Sequence, residues 1–187
     1  MYIMNTPLTL EEIDATIKSK VYTQNYSTKP LIDGVKIVEL KEMSGEDSDF
    51  SELMRISPSG ESIQFPGFHI QQVNRSTQLS GSVKAWHLHL MQDEVWYVPE
   101  ESRLLTGLWD VRQNSPTRGL TMRIPMGGGS RRMVFIPHGV AHGSANLTGQ
   151  TGVIIYFMNN QFDMTHPDEH RIPWDSLGAD FWTPQRD

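Results

Sequence analysis

The sequence predicts an all-β protein, a double-sheet jelly-roll barrel preceded by one short helix. From residue 35 onward the 187-residue chain breaks into short runs rich in β-branched and aromatic residues, which is typical of strands. Glycine, proline, asparagine and serine separate these runs, as they do at turns. About eight strands in one domain favour a sandwich or barrel, and a double-sheet jelly roll fits best.

The elements follow one another in a simple order. Near the N-terminus, Leu10, Ile13 and Ile17 have helical spacing. Thr9, with Glu12 three residues later, forms a capping box, so one short helix is expected. The predicted strands are VKIVEL (35–40), FHIQQV (68–73), KAWHLHL (84–90), EVWYV (94–98), RLLTGLWDV (103–111), LTMRI (120–124), RRMVFI (131–136) and TGVIIYFM (151–158). We expect one domain, with the helix and an arm in 1–34, the barrel in 35–165 and a C-terminal segment in 166–187.

Composition excludes several classes of function. The 22 acidic residues outnumber the 16 basic ones, and the net charge of -6 makes nucleic acid an unexpected partner. The chain has no cysteine, which excludes disulfides and thiolate metal sites. No apolar run reaches the roughly 20 residues of a membrane span, and no secretory signal is visible. We therefore expect a soluble, cytoplasmic protein without a membrane partner.

Two histidines lie two residues apart in SVKAWHLHLMQDEVWYV (82–98). Side chains alternate along a strand, so His87 and His89 point to the same face. The turn MQD can bring Glu94, at the start of the next strand, back toward that face. A third histidine, His142, follows in FIPHGVAHGSAN.

These residues match two motifs of the cupin superfamily, which the sequence resembles. Gly81, His87, His89 and Glu94 match the first motif, Gly-x5-His-x-His-x4-Glu. Pro137, Gly139, His142 and Asn146 match the second motif, Pro-x-Gly-x-x-His-x-x-x-Asn. The trailing glycine of the first motif is displaced, and the leading Gly-x5-Pro spacing of the second is not kept. The resemblance implies the cupin double-stranded β-helix.

Three neutral imidazoles and one carboxylate suit a divalent transition metal. Mn, Fe, Ni, Cu or Zn would be held with positions left open for substrate or water. The alternative is that the side chains face solvent or are hydrogen-bonded, as an isolated histidine pair usually is. Four ligand-type residues in two separate motifs favour the metal, with His87, His89, Glu94 and His142 as its ligands.

A narrower resemblance, to the dTDP-4-dehydrorhamnose 3,5-epimerases, runs through most of the chain after residue 35. The matching pieces are DFSE (49–52), QVNRS (72–76), the stretch 81–87, SPTRG (115–119), IPHGVAHG (136–143) and HPDEHRIPWDSLGADFW (166–182). The resemblance implies a homodimer that binds a nucleotide-linked 4-keto sugar inside the barrel. The residues expected to bind substrate are Glu52, Gln72, Asn74, Lys84 and His142.

The resemblance also implies an acid–base mechanism. The histidine matching His87 removes a proton beside the ketone, and the tyrosine matching Tyr156 returns one on the other face. The enolate formed needs positive charge near its oxygen. The family places a lysine there, where this sequence has Glu94, and a metal held by the predicted ligands would restore the positive charge.

Other departures from the family leave alternatives open. An arginine of the family corresponds to Asp47 or Ser48, a second corresponds to Lys84, and the aspartate that orients the catalytic histidine is expected beyond residue 187. If His87 binds metal, its lone pair is used and it cannot be the base. The alternatives to an epimerase are a metal-dependent cupin of another class, such as a dioxygenase or lyase, and a non-catalytic sugar-binding cupin.

Overall fold

The protein is built from antiparallel strands, as a computed structural model covering residues 6–27 and 29–185 describes it. Two compact units are present, Met1–Pro30 and Leu31–Asp187. The strands are β1 (Lys36–Glu39), β2 (Glu42–Ser44), β3 (Asp49–Ser51), β4 (Gln72–Gln78), β5 (Val83–Leu88), β6 (Glu94–Tyr97), β7 (Arg103–Asp110), β8 (Thr121–Gly127), β9 (Arg132–Ile136), β10 (Val140–Ala145), β11 (Gly152–Met158) and β12 (His170–Arg171). The predicted single domain, with boundaries at residues 34 and 165, stays a prediction.

The N-terminal unit holds two short helical pieces where one helix was predicted. A 3-10 helix spans Leu10–Glu12, and α1 spans Ala15–Lys18. The Glu12 carboxylate accepts the Thr9 N–H at 2.8 Å, as a capping box requires. The backbone is extended at Ile13, which ends the first piece. Among the described residues no helix has the length and apolar character needed to cross a membrane.

Two five-stranded sheets form the second unit, in the orders β1-β9-β6-β11-β4 and β12-β5-β10-β7-β8. A two-stranded sheet, β2-β3, accompanies them. The largest core cluster draws buried aliphatic residues from strands of both sheets, such as Leu104, Leu108 and Ile154. A second 3-10 helix, Ala179–Trp182, ends in a buried tryptophan. The predicted all-β jelly-roll barrel is confirmed.

The strand that carries the third histidine, β10, lies in the middle of the second sheet. All six of its residues are buried. A Cβ added at Gly143 would lie 2.4 Å from the Ala85 Cβ, so a larger residue does not fit there. Ala141 and Ala145 of the same strand belong to one buried cluster with Trp86 of β5. This close packing fixes β10 against β5.

A bulge interrupts β5 opposite this strand. His142 pairs with His87 and Ser144 with Lys84, so three residues of β5 span what two residues of β10 span. The extra residue breaks the alternation of side chains, as β-bulges do. Lys84 and His87 therefore both line one cavity, while Trp86 packs into the aromatic cluster on the other side of the strand.

Candidate active site

A cavity of about 670 Å³ is lined by strands of both sheets. Eight residues predicted from the sequence line it: Gln72, Asn74, Lys84, His87, His89, Glu94, His142 and Tyr156. The fold thus brings together side chains that lie up to 84 positions apart in the chain, Gln72 and Tyr156 being the extremes.

The carboxylate of Glu94 is buried at the centre of a polar cluster. His89 Nε2 lies 3.2 Å from one carboxylate oxygen, and His142 Nε2 lies 3.5 Å from the other. Gln92 Nε2 donates to the first oxygen at 2.8 Å, and Trp96 Nε1 donates to the second. The ligand atoms of His89, Glu94 and His142 all lie within 4.8 Å of one another, close enough to share one ion.

The other ring nitrogens of these two histidines fix where their protons lie. His89 Nδ1 bonds the carbonyl of Asp168, and His142 Nδ1 bonds the carbonyl of Val140 at 3.0 Å. A carbonyl only accepts, so both Nδ1 atoms carry hydrogen. In the neutral ring the Nε2 lone pair then faces the Glu94 carboxylate. Two lone pairs and a carboxylate repel one another unless a proton or a metal ion lies between them.

The pKa values of the cluster follow from burial and charge. Burial, the largest effect, opposes protonation of His89, but hydrogen bonding to Glu94 and the charge of that carboxylate outweigh it and raise the pKa. Burial, the largest effect, also opposes ionisation of Glu94, but the hydrogen bond to His89 and the positive charge of His89 outweigh it and lower the pKa. Burial lowers the pKa of His142 to about 4. At neutral pH the protein alone therefore holds an imidazolium, a carboxylate and a neutral imidazole here.

His87 does not join this three-residue group. Its ring stacks near that of His142, with 5.9 Å between ring centroids and 16° between planes. His87 Nδ1 lies 2.9 Å from a carboxylate oxygen of Glu169, and the same oxygen accepts from Arg171 at 2.8 Å. The structure therefore places three of the four predicted ligands together and gives His87 a different partner.

The two acidic residues that contact these histidines, Asp168 and Glu169, were not among the site residues predicted from the sequence. Asp168 accepts the backbone N–H groups of residues 90–92 at 2.8 to 2.9 Å, which fixes the turn between His89 and Glu94. Glu169 meets a histidine 82 positions away, so no local periodicity could reveal the contact. The only available signal was the pair of adjacent acids inside the matched segment 166–182.

The predicted substrate-binding side chains form a polar wall of the cavity. Gln72 donates to Asn74 at 3.1 Å, and Lys84 donates to the Ser76 hydroxyl at 3.1 Å. Within the described part of the chain, Lys84 is the only lysine or arginine that lines the cavity. The wall thus offers amides and one cation to a ligand.

Tyr156 lies on β11, across the cavity from the histidines of the other sheet. Its ring packs against Trp96, with 5.6 Å between centroids. Burial raises the pKa of the Tyr156 hydroxyl, although a bond to Ser76 opposes the change. The phenol is therefore protonated at neutral pH and can donate a proton.

Glu52 is the one predicted site residue that does not line the cavity. It is exposed and pairs with Arg55, three residues along the chain, at 2.7 Å. The physical reason is local, since the nearby guanidinium satisfies the carboxylate at the surface. Among residues 6–27 and 29–185, those that line the candidate site do not include Glu52.

The double-sheet barrel and its histidine-lined cavity are those of a cupin. The sequence model of the family described as dTDP-4-dehydrorhamnose 3,5-epimerase matches residues 29–185, and the chain belongs to that family. The resemblance and the isomerase class predicted from the sequence are thereby confirmed.

Relatives extend this assignment. The chain is 37% identical over 145 residues to the spore coat polysaccharide biosynthesis protein SpsL of Bacillus subtilis, covering 78% of this chain and 91% of that protein. A dTDP-4-dehydrorhamnose 3,5-epimerase structure from Elizabethkingia anophelis matches with a TM-score of 0.68 at 23% identity, covering 84% of this chain and 86% of that one. A Legionella pneumophila epimerase in complex with dTDP-4-keto-L-rhamnose matches with a TM-score of 0.68 at 24% identity, covering 82% and 80%. The two structures share the fold.

Proposed function

We propose that the protein epimerises a nucleotide-linked 4-keto sugar at the carbons beside the ketone. Family membership supports the reaction class. The Legionella relative binds dTDP-4-keto-L-rhamnose, which supports a dTDP-sugar as substrate. SpsL is named for polysaccharide biosynthesis, which supports a place in carbohydrate biosynthesis.

One observation carries the proposal: a base and an acid face one cavity from opposite sheets. His87 lies on β5 and Tyr156 on β11. His87 takes the proton from the carbon beside the ketone, and the electron pair of that C–H bond moves to the carbonyl oxygen as an enolate. Tyr156 then gives its proton to the same carbon from the other face, and the enolate electrons return to form the C–H bond. The configuration of the carbon inverts.

The enolate oxygen requires a positive charge nearby. We propose that a divalent transition metal, bound by His89, Glu94 and His142, supplies this charge. Two imidazoles and one carboxylate suit Mn, Fe, Ni, Cu or Zn. Both imidazoles give their other N–H to backbone carbonyls, as metal-binding histidines commonly do. An ion held by these residues would act as a Lewis acid toward the ketone oxygen. His87 lies outside this group, so its lone pair stays available to act as the base.

The same three residues support a second candidate, a metal-dependent cupin of another reaction class. Two histidines and one carboxylate with open positions are also the ligand set of non-haem iron oxygenases. Such an enzyme would act as a dioxygenase or lyase on a small carbonyl compound or acid. It would lose activity on chelation and would exchange no hydrogen into 4-keto sugars.

We also propose that the protein is a homodimer. β4 lies at the edge of its sheet, and Val73 on this strand is 53% exposed. An edge strand with an exposed apolar residue can pair with a second copy. Sedimentation equilibrium should give twice the chain mass of 21.3 kDa, and a mass of one chain at micromolar concentration would refute the dimer.

Solvent exchange tests the function directly. In D2O, a dTDP-linked 4-keto-6-deoxy sugar should gain deuterium at C3 or C5, detected by mass spectrometry and NMR. His87→Asn should slow exchange by about 10² to 10⁴-fold. Tyr156→Phe should slow epimer formation more than exchange, since removal of the proton does not need the phenol. Glu101→Gln, at an exposed position without a side-chain hydrogen bond among the described residues, is the matched control.

Two results would refute the epimerase. Wild-type protein that exchanges no hydrogen with a panel of nucleotide-linked 4-keto sugars is not an epimerase of this type. Wild-type protein that binds the sugar tightly and leaves it unchanged is a sugar-binding cupin.

A further inference from the structure

Glu169 is placed to control which nitrogen of His87 carries the proton. Its carboxylate lies 2.9 Å from His87 Nδ1, and both side chains are partly buried, with 34% and 25% of their surface exposed. A carboxylate accepts hydrogen bonds and, when ionised, donates none. Hydrogen bonding to His87, the largest effect, lowers the pKa of Glu169, so the carboxylate is ionised at neutral pH. His87 therefore keeps its hydrogen on Nδ1, and Nε2 keeps its lone pair.

The backbone holds Glu169 in this place. β12 pairs with β5, and Arg171 lies opposite His87 in that pairing. Arg171 also donates to the carboxylate oxygen that faces His87, at 2.8 Å. The preceding residue, Asp168, is anchored by three backbone N–H groups of the turn at 90–92. The carboxylate thus has fixed contacts on both sides and cannot turn away freely.

We infer that Glu169 is the positioning residue for His87, an inference that rests on the proposed function. It fixes the tautomer in which Nε2 is the base, and it stabilises the imidazolium formed when Nε2 takes the substrate proton. The family resemblance implies an aspartate in this role. Here Glu169, the residue directly before β12, lies within hydrogen-bond distance of His87 Nδ1.

The tautomer can be measured without substrate. Long-range ¹H–¹⁵N spectra of EDTA-dialysed protein, recorded over a pH series that includes alkaline pH, should show the His87 ring with its hydrogen on Nδ1. In Glu169→Ala the hydrogen should move largely to Nε2. Glu169→Gln should give a mixture, because an amide can offer either its oxygen or its NH2 to the ring. Glu101→Gln should match the wild type.

Kinetics then separate positioning from simple packing. Glu169→Ala should lower kcat for epimerisation and the exchange rate together by about 10²-fold, the low end of a general-base contribution, with KM unchanged. Glu169→Gln keeps the shape of the side chain and removes its charge. This variant should preserve kcat if Glu169 only packs against β12, and it should lower kcat if the charge of Glu169 positions the base. Thermal unfolding checks that each variant is folded.

The outcomes distinguish this inference from the proposed function. A wild-type His87 with its hydrogen on Nε2, or a tautomer unchanged in Glu169→Ala, overturns the positioning role even in an active epimerase. A kcat preserved in Glu169→Gln does the same. If the wild type exchanges no hydrogen but the tautomer shifts in Glu169→Ala, the epimerase is lost and the control of His87 by Glu169 stands.

Discussion

Replacing Glu94 by glutamine removes one negative charge from the centre of the cluster and leaves the shape of the side chain almost unchanged. In the wild type, the Glu94 carboxylate accepts hydrogen bonds from Gln92 and Trp96 and faces two imidazole nitrogens. An amide has one acceptor oxygen and one donor group. At least one of the donors that face Glu94 will then lie against another donor.

The expected loss of stability has two parts. Breaking a buried ion pair costs about 3–5 kcal/mol when the partner stays charged. His89 can release its proton in the variant, so the metal-free protein should lose only about 2–3 kcal/mol, the value of strong hydrogen bonds to a charged group. A metal ion that binds only the folded protein adds about 2.7 kcal/mol at 100 times its Kd. Glu94→Gln should lose most of this increment as well.

Urea unfolding followed by tryptophan fluorescence measures both parts. Wild type, Glu94→Gln and the control Glu101→Gln are compared at pH 7 after EDTA dialysis, and again with each candidate ion. If metal-free Glu94→Gln is as stable as the wild type, the ion pair with His89 is refuted. If no ion stabilises the wild type, the metal is refuted, and the protonated His89 remains the cation of the site.

Three further predictions concern the scaffold and the substrate wall. The pKa of buried Asp110 is lowered from 3.8, since bonds from Arg112, Ser115 and Thr117 outweigh burial. The contribution of Asp110 to the free energy of unfolding is therefore complete at neutral pH and is lost as the pH falls below about 4. In urea unfolding, Asp110→Asn should cost about 2–4 kcal/mol at pH 7 and less at pH 3. A loss of stability that does not change with pH would contradict this. Gly143→Ala should cost at least about 1–3 kcal/mol through overpacking and lower kcat by displacing β5, whereas Gly149→Ala, with nothing within 4 Å, should leave the melting temperature and kcat unchanged. Lys84→Ala should raise KM for the nucleotide sugar about tenfold without changing kcat, and an equal effect at 1 M salt would argue against a charge contact.

The barrel could be predicted because most of its strands have a local sequence pattern that is typical of strands. Runs such as TGVIIYFM combine β-branched and aromatic residues, and β11 forms there. β10 was not among the predicted strands because VAHGSA consists largely of small residues, which have low strand propensity. Those residues are required by packing against Ala85 and Trp86. The run FHIQQV was displaced: Phe68 is buried in a core cluster before the strand, and β4 begins only at Gln72.

Part of the candidate site could likewise be predicted from the sequence, and part could not. His87, His89 and Glu94 lie within eight positions of one another, so strand alternation and one turn suffice to bring them to the same cavity. The position of His142 followed from the motif resemblance and not from periodicity. The contact between Glu169 and His87 depends on the pairing of β12 with β5, and no local sequence pattern predicts this pairing.

The proposed divalent ion would supply more of the positive charge that the centre of the site needs than a proton on His89 supplies. In the resembled family a lysine contributes one positive charge near the enolate oxygen, and Glu94 in its place contributes one negative charge, a difference of two. A protonated His89 restores one of these charges and leaves the cluster neutral overall. A divalent ion with neutral His89 and His142 restores both and gives the cluster the net charge of the lysine. In the proposed function, the exchange of the family's lysine for Glu94 is therefore compensated in full only by an ion of charge two.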